Sequence, residues 1–192
     1  DLFACGYHDP TFTMEQVSVG RWDYDDNETA LAIWNFSIDF FRYSEDDGFF
    51  GGNNGENEFV GFIDDATYYS VYGFHWGGAS AMTINYIDLG DPCDEIQESD
   101  VMFNSAYSWT DDFLTYLGGS LEYYPEAVIH ETGHVWGLMS GKLKAETYAY
   151  NHPSVMNNGN TDIIEDALAV HVPDVNLMRR IYDGLTSVPQ VK

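Results

Sequence analysis

Apolar side chains recur every three or four positions between residues 28 and 43, which predicts an amphipathic helix. The residues that would form its buried face are Ala30, Leu31, Trp34, Ile38 and Phe41. Asn27 is placed to cap the first turn of this helix. The next segment, residues 44–58, reads SEDDGFFGGNNGENE and is crowded with glycine, asparagine and carboxylates. That composition predicts a long loop.

Three shorter segments are typical of β-strands, because β-branched and aromatic residues lie in them between turn signals. They are FVGFID at 59–64, SAMTINYID at 80–88 and DVMFN at 100–104. We expect all three to belong to one sheet.

Two more helices are predicted after these strands. The first runs from Leu121 to Met139, with Pro125 tolerated in its first turn and Gly137 near its end. The second starts near Pro173 and Asp174 and closes at Gly184. The pattern contains no internal repeat and no linker, so its 192 residues predict a single domain.

The composition narrows the class of protein. The chain has 32 Asp and Glu against 7 Lys and Arg, a formal net charge of −25, so nucleic acid and anionic membrane surfaces would repel it. Cations are the more natural partners, and the acidic coat suits an extracellular or periplasmic monomer. Cys5 and Cys93 are far apart in sequence, and such a pair in an exported chain favours a disulfide.

The candidate chemistry lies in HETGHVWG, residues 130–137, inside a predicted helix. His130 and His134 are four residues apart, so both imidazoles project from one face and can bind one metal ion. Glu131 lies beside the first histidine, where its carboxylate can take a proton from a metal-bound water. The spacing therefore predicts two zinc ligands and a general base.

Here the chain resembles the metzincin zinc endopeptidases, particularly the matrixin-like members. The resemblance is carried by HETGHVWG, by HPSVM at 152–156 and by PDVNLMRRIYDG at 173–184, with weaker similarity in the strands upstream. It implies an α+β fold in which a mixed, mostly parallel five-stranded sheet and two long helices lie above a cleft. The upper lobe would be residues 1–137, and a small irregular lower lobe with a C-terminal helix would be residues 138–192.

The same resemblance implies roles for further residues. Met156 would lie beneath the metal, and the strand at 77–83, with Gly77, Gly78 and Ala79, would form the rim on which an extended polypeptide substrate adds as an antiparallel strand. Residues 157–161 would border the pocket for the side chain after the scissile bond. Asn158 stands where several branches have a tyrosine, so stabilisation of the tetrahedral intermediate by that tyrosine is not expected.

The third zinc ligand is the departure from the family pattern. A histidine or aspartate is expected at position 140, but Ser140 stands there, and a serine hydroxyl is a poor zinc ligand. Our first candidate is His152, four residues before Met156. The alternatives are Glu146 or Glu165, as in a gluzincin-type site, the thiolate of Cys5, whose CGYHD loosely resembles a cysteine switch, or a site with only two protein ligands or with no metal bound.

The remaining candidates are weaker. Asp46, Asp47, Asn53, Glu56 and Glu58 could supply oxygen ligands for calcium, although their spacing is not that of an EF-hand. His75 and His171 are expected to be structural or surface histidines. The leading hypothesis is a secreted zinc endopeptidase, and the rival is a degenerate domain of the same fold that binds peptide without cleaving it. Glu131 favours the enzyme, because a binding domain has no chemical need for a base there.

Overall fold

The chain combines α-helices with two β-sheets. The computed structural model describes residues 52–89 and 95–138, the strands at 12–16 and 41–45, and the single residues Thr29, Ile33, Trp34, Met156 and Asp174. The expectation of a mixed α and β structure is confirmed. Within these described residues, no helix is long and apolar enough to cross a membrane.

The larger sheet has five strands in the order β2-β1-β3-β5-β4. The strands are β1 Phe12–Gln16, β2 Phe41–Glu45, β3 Asn57–Ile63, β4 Ala81–Asp88 and β5 Glu95–Asn104. Neighbours pair in parallel except β4, which runs antiparallel to β5 and forms one edge. The three predicted strand segments thus share one sheet, as expected.

Three helices and a small second sheet complete the described part of the chain. The helices are α1 Asp65–Tyr72, α2 Phe113–Leu117 and α3 Tyr124–Val135. The strands β6 Trp109–Thr110 and β7 Glu122–Tyr123 pair in parallel just before α3. Asp64 caps α1 by accepting a hydrogen bond from Thr67 N at 2.7 Å, and Asp112 caps α2 in the same way.

The larger sheet lies between α1 and α3. On the α1 side, Val60, Ile63 and Met102 pack with Tyr68 of the helix. Val60 and Ile63 share this face despite their odd spacing, because the β3–β5 register shifts between Phe59 and Gly61. On the α3 side, the ring of Phe103 packs against Tyr124 at 4.7 Å between centroids. Both faces of the central strands are therefore buried.

Several predicted boundaries change, and the strand predicted at 100–104 begins earlier, at Glu95. Residues 41–45 form β2, so the predicted helix 28–43 is wrong at its end, although Thr29, Ile33 and Trp34 are helical. The predicted loop 44–58 is interrupted at both ends by strands. The predicted helix 121–139 is shorter, because residues 122–123 pair with β6 and the helix ends at Val135. Asp174 is helical and buried, and the rest of the predicted last helix lies outside the described residues.

Candidate metal centre

The two motif histidines meet on one face of α3. The Nε2 atoms of His130 and His134 lie 3.1 Å apart, and their rings are nearly perpendicular, with centroids 4.8 Å apart. A tetrahedral zinc ion with Zn–N bonds of 2.0–2.1 Å holds two nitrogen ligands about 3.3 Å apart. Two lone pairs at this distance repel each other unless a proton or a metal ion lies between them. The pair therefore fits a zinc ion.

The turn after α3 orients the second histidine. Gly137 has a φ of 86°, Gly137 N donates to His134 O at 2.8 Å, and Leu138 N donates to Gly133 O at 3.1 Å. This is a Schellman turn, and it confirms the sharp turn expected at Gly137. It brings the Leu138 carbonyl to 2.5 Å from His134 Nδ1. The Nδ1–H donates to that carbonyl, so Nε2 keeps its lone pair for a metal.

The protonation state of His134 agrees with this role. Burial, together with the neighbouring His130, lowers the pKa of His134 to about 3, although the Leu138 carbonyl acts in the opposite direction. The imidazole is therefore neutral at physiological pH, as a metal ligand must be.

Side chains of the edge strand β4 contact both Glu131, the candidate general base, and the end of α3. Thr83 Oγ1 lies 2.7 Å from Glu131 Oε2 and 3.0 Å from the backbone oxygen of Glu131. Two residues along the same strand, Asn85 Nδ2 donates to His134 O at 2.9 Å, and Ser99 Oγ holds the Asn85 amide at 2.6 Å. Thr83 and Asn85 share a strand face, so the sheet fixes the motif through two consecutive side chains.

A close contact lies on the other side of the motif. The second wildcard of H-E-x-x-H is Gly133, and a Cβ atom there would overlap Met156 Sδ and lie 2.8 Å from Trp34 Cζ2. Trp34 and Met156 are both fully buried, and Trp34 Nε1 donates to Ile129 O at 2.8 Å. The methionine that the resemblance implied beneath the metal thus packs directly against the helix that carries the two histidines.

A pocket of about 380 Å³ opens beside the histidine and the glutamate; we call it the side pocket. It is bounded by residues 78–81, which lead into β4, by Tyr116 of α2 and by the two residues of β7. Glu126 and Ala127 at the start of α3 also line it, and it reaches His130 and Glu131. In the described part of the chain, His130, Glu131 and His134 form the only group of three potential metal ligands, with ligand atoms all within 4.8 Å of one another.

Some of the other predicted site residues line the side pocket, and others lie away from it or outside the described residues. Gly77 and Gly78 form a turn with φ of 62° and 90°, whereas the strand itself begins at Ala81. Of the predicted rim, Gly78 and Ala79 line the side pocket. His75 is exposed, lies 2.7 Å from Asp65 Oδ2 and stacks on Tyr69. The candidates that lie outside the described residues are Ser140, Glu146, His152, residues 157–161, Glu165, His171, Cys5 and Cys93.

The residues considered as calcium ligands differ in exposure, and two of them lie outside the described residues. Asp46 and Asp47 lie outside the described residues, Asn53 is exposed, Glu56 is half-buried, and Glu58 is buried with Asn54 Nδ2 donating to it at 3.0 Å. Calcium at this loop stays a prediction.

The loop itself covers two buried carboxylates of β5 that we did not predict. Asn54 N and Gly55 N donate to Glu98 at 3.1 and 2.6 Å, and Gly52 N donates to Asp100 at 2.9 Å. Backbone N–H groups of the loop therefore donate hydrogen bonds to both carboxyl groups.

Sequence reasoning also missed Thr83, Asn85 and the two glutamates of the side pocket. The i, i+2 spacing of Thr83 and Asn85 in an otherwise apolar strand was a usable signal, because polar residues on a buried strand face need partners. The chain matches no protein-family model and no curated protein. Its function must therefore be argued from the geometry of this site.

Proposed function

We propose that the chain is a secreted, zinc-dependent endopeptidase that cleaves extended polypeptides. The observation that carries the proposal is the convergence of His130, Glu131 and His134, with the tautomer of His134 already set for a metal by the Leu138 carbonyl. An ordinary surface helix with two histidines has no reason to bury a glutamate between them, and Glu131 is only 5% exposed.

Each side chain of the site has a separate role in the proposed reaction. His130 and His134 would hold the metal. Zinc, when bound, supplies Lewis acidity that acidifies water and polarises a carbonyl group. Glu131 accepts the proton of the attacking water and delivers it to the departing amine. Thr83 holds one oxygen of that carboxylate at 2.7 Å, which leaves the other oxygen to take the proton.

The surroundings support a peptide substrate. β4 is an edge strand, so one side of its backbone has no strand neighbour among the described residues, and its first residues line the side pocket. An extended peptide can add to such an edge through main-chain hydrogen bonds while one side chain enters the pocket. The finer fold assignment, a metzincin-like catalytic domain, rests on this arrangement and on the contact of Met156 with Gly133.

The proposal is tested first on the metal and the base. Purified protein should contain about one zinc per chain and cleave a denatured protein. Glu131→Gln keeps the shape and the Thr83 contact but cannot take a proton, so cleavage should fall by at least about 100-fold with zinc retained. Protein that holds no zinc after mild dialysis and remains inactive with added Zn2+ would refute the peptidase. Metal-free protein that still binds peptide would instead favour a degenerate binding domain.

We also propose His152 as the third ligand, a choice that rests on the sequence. His152→Ala should weaken zinc binding far more than the matched change Ser140→Ala, as measured by competition with a chelator. Equal effects of the two substitutions would reject His152 and leave Glu146 and Glu165 as the next variants to measure.

A further inference from the structure

Carboxylates are the main charged groups that line the side pocket. Glu122 and Glu126 both line it, and among the described residues no lysine or arginine does. The positive end of the α3 dipole, about half an elementary charge, offsets only part of these two carboxylates. The pocket therefore carries a negative potential.

The surroundings of the pocket disfavour the charged form of Glu126. Burial raises the pKa of Glu126, and the neighbouring Glu122 raises it further, although His130 acts in the opposite direction. Glu126 is half-buried, so its attraction to a bound cation is less screened than that of a fully exposed carboxylate.

Two aromatic rings form another wall of the pocket. Tyr116 and Tyr123 stack at 5.2 Å between centroids with an angle of 27°. Burial raises the pKa of Tyr116, and the nearby charges of Glu126 and Glu122 raise it further. Stacked tyrosine rings pack against the methylene groups of a long side chain and attract a cation over their faces. A glutamate pair beside such rings matches a side chain with an apolar stem and a positive end.

We propose that the side pocket binds an arginine or lysine side chain of the substrate, next to the bond that is cleaved. The inference rests on the proposed peptidase function, because it places that side chain beside His130 and Glu131. The volume of about 380 Å³ is at the lower end of the range for ligand pockets, so it suits one side chain. The preferred substrates are thus basic polypeptides, which the acidic surface of the chain also attracts.

The first test compares quenched fluorescent peptides that differ only at one position, occupied by Arg, Lys, Leu, Phe or Asp. We expect kcat/KM for the Arg peptide to exceed that for the Leu peptide by about tenfold or more, as a charged hydrogen bond predicts. Mass spectrometry should place the cleaved bond next to the basic residue. Equal or higher kcat/KM for the Leu peptide would overturn the inference while leaving the peptidase intact.

Matched variants test whether Glu126 causes the preference for Arg over Leu. Glu126→Gln removes one charge from the pocket and should remove most of the preference for Arg over Leu. Asp88→Asn removes the same charge at the far end of β4, about 23 Å along the strand from Ala81, and should leave the preference unchanged. A preference that survives Glu126→Gln would overturn the assignment to this pocket.

A binding measurement tests the specificity of the side pocket without requiring cleavage. Nα-acetyl-argininamide should bind the Glu131→Gln protein more tightly than Nα-acetyl-leucinamide in calorimetry, and the added Glu126→Gln change should abolish the difference. This result with no cleavage of any peptide would retain the pocket and reject the peptidase. No difference between the two amides would overturn the pocket, whatever the peptides show.

Discussion

Gly133→Ala is the substitution that most directly probes how the motif helix is packed. In an open helix position, this change would stabilise the protein by about 1 kcal/mol, because alanine is the better helix former. Here the new methyl group overlaps Met156 Sδ and lies 2.8 Å from Trp34 Cζ2. Overpacking a buried site costs about 1–3 kcal/mol. With two buried partners in conflict, we expect a net loss of about 1–2 kcal/mol.

The free energy of unfolding can be measured by urea denaturation with tryptophan fluorescence. Gly118→Ala is the matched control, since its φ is −90° and its Cβ would meet nothing closer than 3.6 Å. That change should alter stability by less than about 0.5 kcal/mol. Both variants gain one methyl group, so the difference between them reports the packing at Gly133.

A double-mutant cycle identifies the contact. Met156→Ala alone should cost about 2–5 kcal/mol, because it opens a cavity in a fully buried site. Combined with Gly133→Ala, it should cost about 1 kcal/mol less than the sum of the two single changes, because the methyl group then has room. Gly133→Ala that stabilises the protein, or two changes that simply add, would refute the packing of Met156 on the motif helix.

Two further predictions concern side chains of the sheet. Thr83→Val removes the hydroxyl that lies 2.7 Å from Glu131, so kcat should fall by about 10- to 100-fold with KM unchanged, and Thr83→Ser should restore it. A valine variant as active as the serine variant would remove Thr83 from the mechanism. Burial raises the pKa of Asp100 from 3.8 to about 8. Its contribution to stability is therefore present below pH 4 and lost as the pH rises through 8, by up to about 1.4 kcal/mol per pH unit. Asp100→Asn should flatten this loss in urea titrations at pH 5, 7 and 9, and an unchanged slope would contradict it.

The motif helix was predictable because its signals are local. Two histidines at i and i+4, a proline in the first turn and a glycine at the end all lie within residues 125–137. The structure places α3 at Tyr124–Val135 with its Schellman turn at Gly137. The three strand segments were also local patterns.

The errors arose where distant partners decide the structure. The apolar spacing that indicates a helix continues into residues 41–45, but those residues pair with β1, which is 29 residues away in register. β5 begins at Glu95, five residues before the predicted strand, because local composition gave no reason to extend that strand back through Glu98. Glu98 and Asp100 are buried there, with hydrogen bonds from backbone N–H groups of residues 52–55. That compensation depends on a contact over more than 40 residues.

The Gly137 turn has a consequence for how the metal site can change over time. The His134 ring and the carbonyl that orients it are four residues apart, so the orientation of this ring is set by a local hydrogen bond within residues 134–138. A ligand supplied by another segment has to meet the two imidazoles, but it takes no part in setting their orientation. The orientation of His134 is thus independent of the third ligand, and a chain can move that ligand to a new position while the histidine pair stays intact. Serine at position 140 is therefore compatible with a working site.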